Sequence, residues 1–221
     1  MQTASPGSDR EEKQGKALVD ESVLGGVSHF VYTSGDRGGP VKSPTDPTEV
    51  SNFIAKYKIE RRLQERAAAS AQGMTYTILR PVMFFDNLVF SRHGQGFARM
   101  WEHLGNKNLQ LVSTKDIGWF GAQALLFPHQ YRNTALSLAG DELTQLEAAV
   151  IFGSIVGKEM PLAPCLVGSA LKFFMKEALG TMFRWFKAVG YGADVEVCRR
   201  LNPKMQDFHA WLKESREFVQ R

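Results

Sequence analysis

Apolar and polar positions divide the chain into short β-branched runs separated by longer stretches with helical spacing. Residues 11–24 carry Ala17, Leu18 and Val23 with Gly25 and Gly26 behind them, which predicts a helix stopped by glycine. Residues 27–33, Val-Ser-His-Phe-Val-Tyr-Thr, are bounded by glycines and read as a buried strand. A loop rich in Gly, Pro and Asp follows over 35–46. A helix then runs over about 49–71, with Phe53, Ile59, Leu63 and Ala67 on one face. A second strand, 75–80, ends at Pro81, and residues 82–107 mix aromatics and glycines in an order that predicts no element. Ser113 and Asp116 have capping-box spacing and open an apolar helix that runs to Pro128. Residues 133–138 form a third strand, Thr144 and Glu147 cap another helix, and 161–221 reads as helical with a break at 190–192. Strands alternating with helices of these lengths predict an α/β fold with a parallel sheet.

Composition narrows the function classes. With 43% hydrophobic and 23% charged residues, the 221-residue chain is globular rather than disordered. Lys+Arg 27 against Asp+Glu 23 leaves a small positive excess that is scattered, not striped. Arg61-Arg62 lies beside Glu60 and Glu65, and Arg199-Arg200 beside Glu196. This balance suits a phosphate-bearing ligand and gives no nucleic-acid surface. Cys165 and Cys198 are too far apart for a CxxC pattern, so a disulfide scaffold is excluded and a reducing, cytoplasmic setting is expected. Residues 1–16 are polar and carry no secretory signal. The longest apolar stretch, 160–171, contains two prolines and falls short of the roughly 20 residues of a spanning helix, so no membrane association is expected.

Several mechanisms lack the motifs they need. The sequence has no GxSxG and no GxxxxGK[ST], and its histidines, at 29, 93, 103, 129 and 209, never pair at metal-ligand spacing. Gly94-Gln-Gly96 begins a GxGxxG-like string, but Arg99 stands at its third position and no strand precedes it, so it reads as a turn. What remains is an arrangement along one sheet edge. A strand ends in Tyr32-Thr33-Ser34, a helix carries Lys56, and a strand ends in Arg80-Pro81-Val82-Met83-Phe84. In a parallel sheet the carboxyl ends of adjacent strands form the ligand-binding rim. Lys56 shares a helical face with Asn52, Ile59 and Leu63 and is placed to point inward; the alternative is a solvated i,i+4 pair with Glu60. Ser34 alternatively only starts the following turn. Met83-Phe84-Phe85 and Phe173-Phe174-Met175 read as packing segments.

These segments resemble the NmrA-like family, an atypical branch of the short-chain dehydrogenase/reductases, and most closely its members from filamentous fungi. The stretches that carry the likeness are 29–34 with Asp36-Arg-Gly-Gly39, Asn52-Phe-Ile-Ala-Lys56 with Ile59-Glu60, and Thr77-Ile-Leu-Arg-Pro81 with Phe85-Asp-Asn87. It continues through 111–118, 138–144, 180–186 and 190–194. The resemblance implies a doubly wound, Rossmann-like sheet lacking its first βα units, with a mostly helical C-terminal region. Its implied parts are a leader over 1–10, the remaining NAD(P)-binding part over 11–140 and a helical substrate side over 141–221.

By the same resemblance, Lys56 binds the cofactor ribose, Pro81, Val82, Met83 and Phe84 pass the nicotinamide of NADP, and Ser34 orients a small carbonyl or enone substrate. Asn52 stands where the superfamily's proton-donating tyrosine would stand, and a GxxGxxG turn is absent from the sequence, so weak NADP binding is expected. The implied function is an NAD(P)-dependent oxidoreductase of fungal secondary metabolism. The alternative is an NAD(P)-sensing regulator that binds a transcription factor or another protein. Strand 27–33 would lie at a sheet edge, open to a second copy or to a protein partner.

Overall fold

The structure is a computed structural model that describes residues 9–163, 178–215 and 218. Most of the expected leader, Cys165 and Phe173-Phe174-Met175 lie outside the described residues. The described residues divide into two units, one holding those up to Pro81 with 117–137 and the other those of 82–116 and from Leu138 on.

The first unit is built on a three-stranded sheet. Strands β1 (His29–Thr33), β2 (Thr75–Pro81) and β5 (Thr134–Leu138) lie in the order β1-β2-β5, so β1 is an edge strand and β2 is central. β1 and β2 run parallel, with His29 opposite Thr75 and Thr33 opposite Leu79. Residues 77–81 of β2 are buried, as expected of a central strand covered on both faces. Its side chains alternate: Ile78 joins Val19, Ile59, Leu63, Ala67 and Met74 in one cluster, whereas Leu79 lies against Gly121. That cluster joins helix α1 (Asp9–Leu24) to helix α3 (Ser51–Ala68), which pack together. Between β1 and α3, the loop over 35–46 contains a short helix, α2 (Gly39–Lys42). Gly38 and Gly39 there adopt φ of 96° and 82°, which a side chain would resist.

The second unit contains elements the hydrophobic pattern did not predict. β3 (Met83–Phe84) pairs in parallel with β4 (Leu109–Val112), and β4 pairs antiparallel with β6 (Asp141–Leu143). Helix α4 (Arg92–Glu102) includes Gly94 and Gly96, so these glycines are helical rather than part of a turn. Gly94 is needed for a close approach: a Cβ there would lie 2.1 Å from the Val89 carbonyl oxygen.

Helix α5 (Thr114–Leu126) begins in the second unit and continues in the first, followed by α6 (Pro128–Tyr131). Ser113 and Asp116 do cap α5: the Ser113 hydroxyl donates to the Asp116 carboxylate at 2.7 Å and accepts from the Asp116 N–H at 3.0 Å. Thr144 and Glu147 form the expected capping box on α7 (Gln145–Val156). Three further helices, α8 (Ala178–Ala188), α9 (Val195–Leu201) and α10 (Phe208–Glu214), supply the helical C-terminal region. The aromatic core of this unit includes Phe85, Trp101, Phe208 and Trp211. Among the described residues no helix is long and apolar enough to cross a membrane.

Candidate functional site

The carboxyl ends of β1 and β2 come together as the sequence pattern proposed. The Ser34 N–H donates to the Leu79 carbonyl at 2.7 Å and the Asp36 N–H to the Pro81 carbonyl at 3.0 Å. These bonds continue the parallel ladder beyond the end of β1 and set Ser34 beside the end of β2. Lys56 reaches the same turn from α3. A Cβ placed on Gly35 would lie 3.7 Å from Lys56 Cδ and 3.6 Å from Phe53 Cε1, so the lysine stem passes directly over this glycine. The ammonium pairs with Glu11 of α1 at 2.8 Å and the side chain keeps 23% of its exposure. Lys56 therefore does not pair with Glu60 one turn on. Asn52 is half-buried on α3, and Tyr57 lies under the Arg37 guanidinium, 5.5 Å from its ring centroid.

Of the remaining predicted residues, Pro81 closes the first unit, whereas Val82, Met83 and Phe84 belong to the second. There the Val82 N–H donates to the Leu138 carbonyl at 3.1 Å, and Met83 and Phe84 pair with Leu111 and Val112. Ser34, Lys56 and Pro81 are thus brought together within one unit.

Beneath that rim lies a buried ionic cluster that the sequence reading missed. Glu60, 2% exposed, accepts from Arg37 at 2.8 and 3.1 Å and from Arg80 at 2.7 and 3.2 Å. The Ser34 hydroxyl also donates to this carboxylate. Burial alone would raise the Glu60 carboxyl, but the Arg80 and Arg37 hydrogen bonds outweigh it and hold the group below its ordinary value. Arg37 further donates to the Gly35 and Ser43 carbonyls, and buried Asp36 accepts from the N–H groups of Gly38 and Gly39 and from the Ser137 hydroxyl.

One signal for Glu60 existed: its position seven residues after Phe53 and three before Leu63 puts it on the apolar face of α3. Tyr32, at the end of β1, is pushed far above the usual phenol range by burial and by the charges of Glu11 and Glu60, so it stays protonated near neutral pH. Among the described residues no group of three or more His, Cys, Asp or Glu side chains could hold a metal ion.

The model of the NmrA-like family matches residues 1–212. The chain belongs to the NmrA-like family. Solved structures similar to it include the triphenylmethane reductase of Citrobacter sp. complexed with NADP(H), at TM-score 0.65 and 15% identity over 92% of this chain and 70% of that one. An NADPH-dependent quinone oxidoreductase from Escherichia coli matches at TM-score 0.62 and 18% identity, over 90% of this chain and 71% of that one. NmrA itself, a negative transcriptional regulator solved with NAD, matches at TM-score 0.64 and 14% identity, over 93% and 70%. These likenesses establish a shared Rossmann-type α/β fold.

The residues present fit the nicotinamide end of such a dinucleotide in part. Lys56 carries an ammonium at the sheet edge that is partly open to solvent, and a ribose diol accepts from such a group. The Ser34 hydroxyl, by contrast, is engaged in donating a hydrogen bond to Glu60. The glycines after β1 lead into the four-residue helix α2, but the Gly38 and Gly39 N–H groups are held by Asp36. Gly94 and Gly96 lie within α4, so neither pair offers free N–H groups at a strand-to-helix turn as a pyrophosphate cradle does.

Proposed function

We propose that this NmrA-like chain is an NADP-linked oxidoreductase that reduces a small carbonyl or enone compound, with fungal secondary metabolism and the cytoplasm as its setting. The observation that carries the reading is the meeting of the Ser34 turn, the end of β2 and the stem of Lys56 at one sheet edge. In this reading Lys56 exchanges Glu11 for the ribose hydroxyls, and residues 81–84 pass the nicotinamide ring. When bound, the reduced nicotinamide supplies a hydride. The protein's task is to hold the acceptor carbon against it and leave the oxygen open to a proton. Asn52 has no titratable proton and Ser34 donates to Glu60, so that proton comes from water, or from Ser34 after it exchanges its partner. Weak cofactor binding is expected, because backbone N–H groups at a helix start normally anchor the pyrophosphate.

The same two features, Asn52 and the committed Ser34 hydroxyl, favour a second reading: a dinucleotide-responsive regulator without turnover. Edge strand β1 is then the surface for a protein partner or a second copy. NADPH consumption in the presence of a quinone such as menadione separates the two. Consumption that requires the protein and is lost in Lys56→Ala supports the oxidoreductase. Saturable NADPH binding without consumption overturns it and supports the regulator.

A further inference from the structure

The second unit holds a cavity of about 280 Å³ formed by the segment after β3, the start of α5 and helix α10. Two side chains in its wall have unused hydrogen-bonding capacity. Gln206 is 5% exposed and its amide makes no side-chain hydrogen bond among the described residues, although its backbone N–H is held by Asp116 at 2.9 Å. Trp211 is 8% exposed, and its indole N–H likewise has no partner there. Neither group is among the atoms sealed from solvent without a partner, so each keeps an accessible edge where a ligand or water completes the bonding.

The rest of the wall restricts what that ligand is. Leu88, Val89 and the indole ring supply the apolar part of the wall. The charged groups are Asp86, Lys115 and Glu214, two carboxylates against one ammonium, so the cavity disfavours an anion. Lys115 pairs with Glu214 at 2.7 Å, and Asp86 accepts from the Thr114 N–H and hydroxyl at 3.0 and 2.9 Å. Both carboxylates keep lone pairs for a donor.

We infer that this cavity binds a small, uncharged, hydroxylated aromatic carbonyl compound. The carbonyl oxygen accepts from the Gln206 amide and the Trp211 N–H. The ring lies along Leu88 and Val89, and the hydroxyl donates to a carboxylate at the rim.

The test is a calorimetric titration of the full 221-residue chain with 4-hydroxyacetophenone, without dinucleotide, so its result is independent of the cofactor reading. Saturable binding is expected, with affinity falling about fivefold or more in Gln206→Leu and in Trp211→Phe. The thermal midpoint of Gln206→Leu should stay level or rise, because the variant loses no side-chain hydrogen bond to a described residue and gains apolar surface in a mostly buried position. The anion 4-hydroxybenzoate should bind much more weakly than the ketone. The proposal is overturned by no saturable binding of the ketone to the folded chain, by equal binding of the benzoate, or by unchanged affinity in both variants.

Discussion

Replacing Glu60 with Gln should be among the most destabilising single changes in the first unit. The two oxygens of Glu60 accept five hydrogen bonds, from Ser34, twice from Arg37 and twice from Arg80. Arg37 is wholly buried and Arg80 is 2% exposed, so neither guanidinium has water to replace its counterion. A glutamine amide oriented either way sets an NH2 against at least two arginine donors, and it leaves both positive charges uncompensated. Breaking a buried ion pair from one side costs about 3–5 kcal/mol. Domains are commonly stable by about 5–15 kcal/mol, so this is a large fraction of the total. With a urea slope of about 2 kcal/mol per molar, the unfolding midpoint followed by circular dichroism should fall by roughly 1.5–2.5 M.

The effect should also depend on pH. The folded Glu60 carboxyl lies below its ordinary value of 4.5, so its contribution is complete above that value and is lost as the pH falls through the folded pKa. The gap between parent and variant should therefore narrow below about pH 4.5. A midpoint shift smaller than about 0.5 M near neutral pH would refute the argument that the cluster is a coupled, desolvated unit.

Two other changes probe separate parts of the fold. Gly140→Ala would place a Cβ 2.3 Å from the Gln206 carbonyl oxygen, so a loss of about 1–3 kcal/mol is expected in chemical denaturation. Thr144→Ala removes the side-chain cap of α7 together with its reciprocal Glu147 contact, and should cost about 1 kcal/mol in the same assay.

The parts of the fold legible in the sequence are those whose local signals agree with their surroundings. β1 and β2 are β-branched runs bounded by turn residues, and α5 and α7 open on side-chain caps that do form. β4 and β6 were not legible. β4 is only four residues long, and β6 reads Asp-Glu-Leu, which has no strand propensity and forms by pairing with β4. α4 was hidden because its glycines read as breakers, whereas Gly94 is there to admit the Val89 backbone.

At the candidate site, the meeting of Ser34, Lys56 and Pro81 follows from strand order and helix face alone. The Glu60 cluster does not, because its arginines come from positions 23 and 20 residues away in sequence. Beside Arg61 and Arg62, Glu60 resembles a solvated surface charge, and its place on the apolar face of α3 is the one local sign that it turns inward, with no hint of its partners.

The most direct test of the account is a fluorescence titration of the folded 221-residue chain with NADPH, run beside Lys56→Ala. The account predicts weak but saturable binding to the parent, and affinity lower by about fivefold or more when the ammonium is removed. No saturable binding to a folded parent, or equal affinity in both proteins, would contradict it.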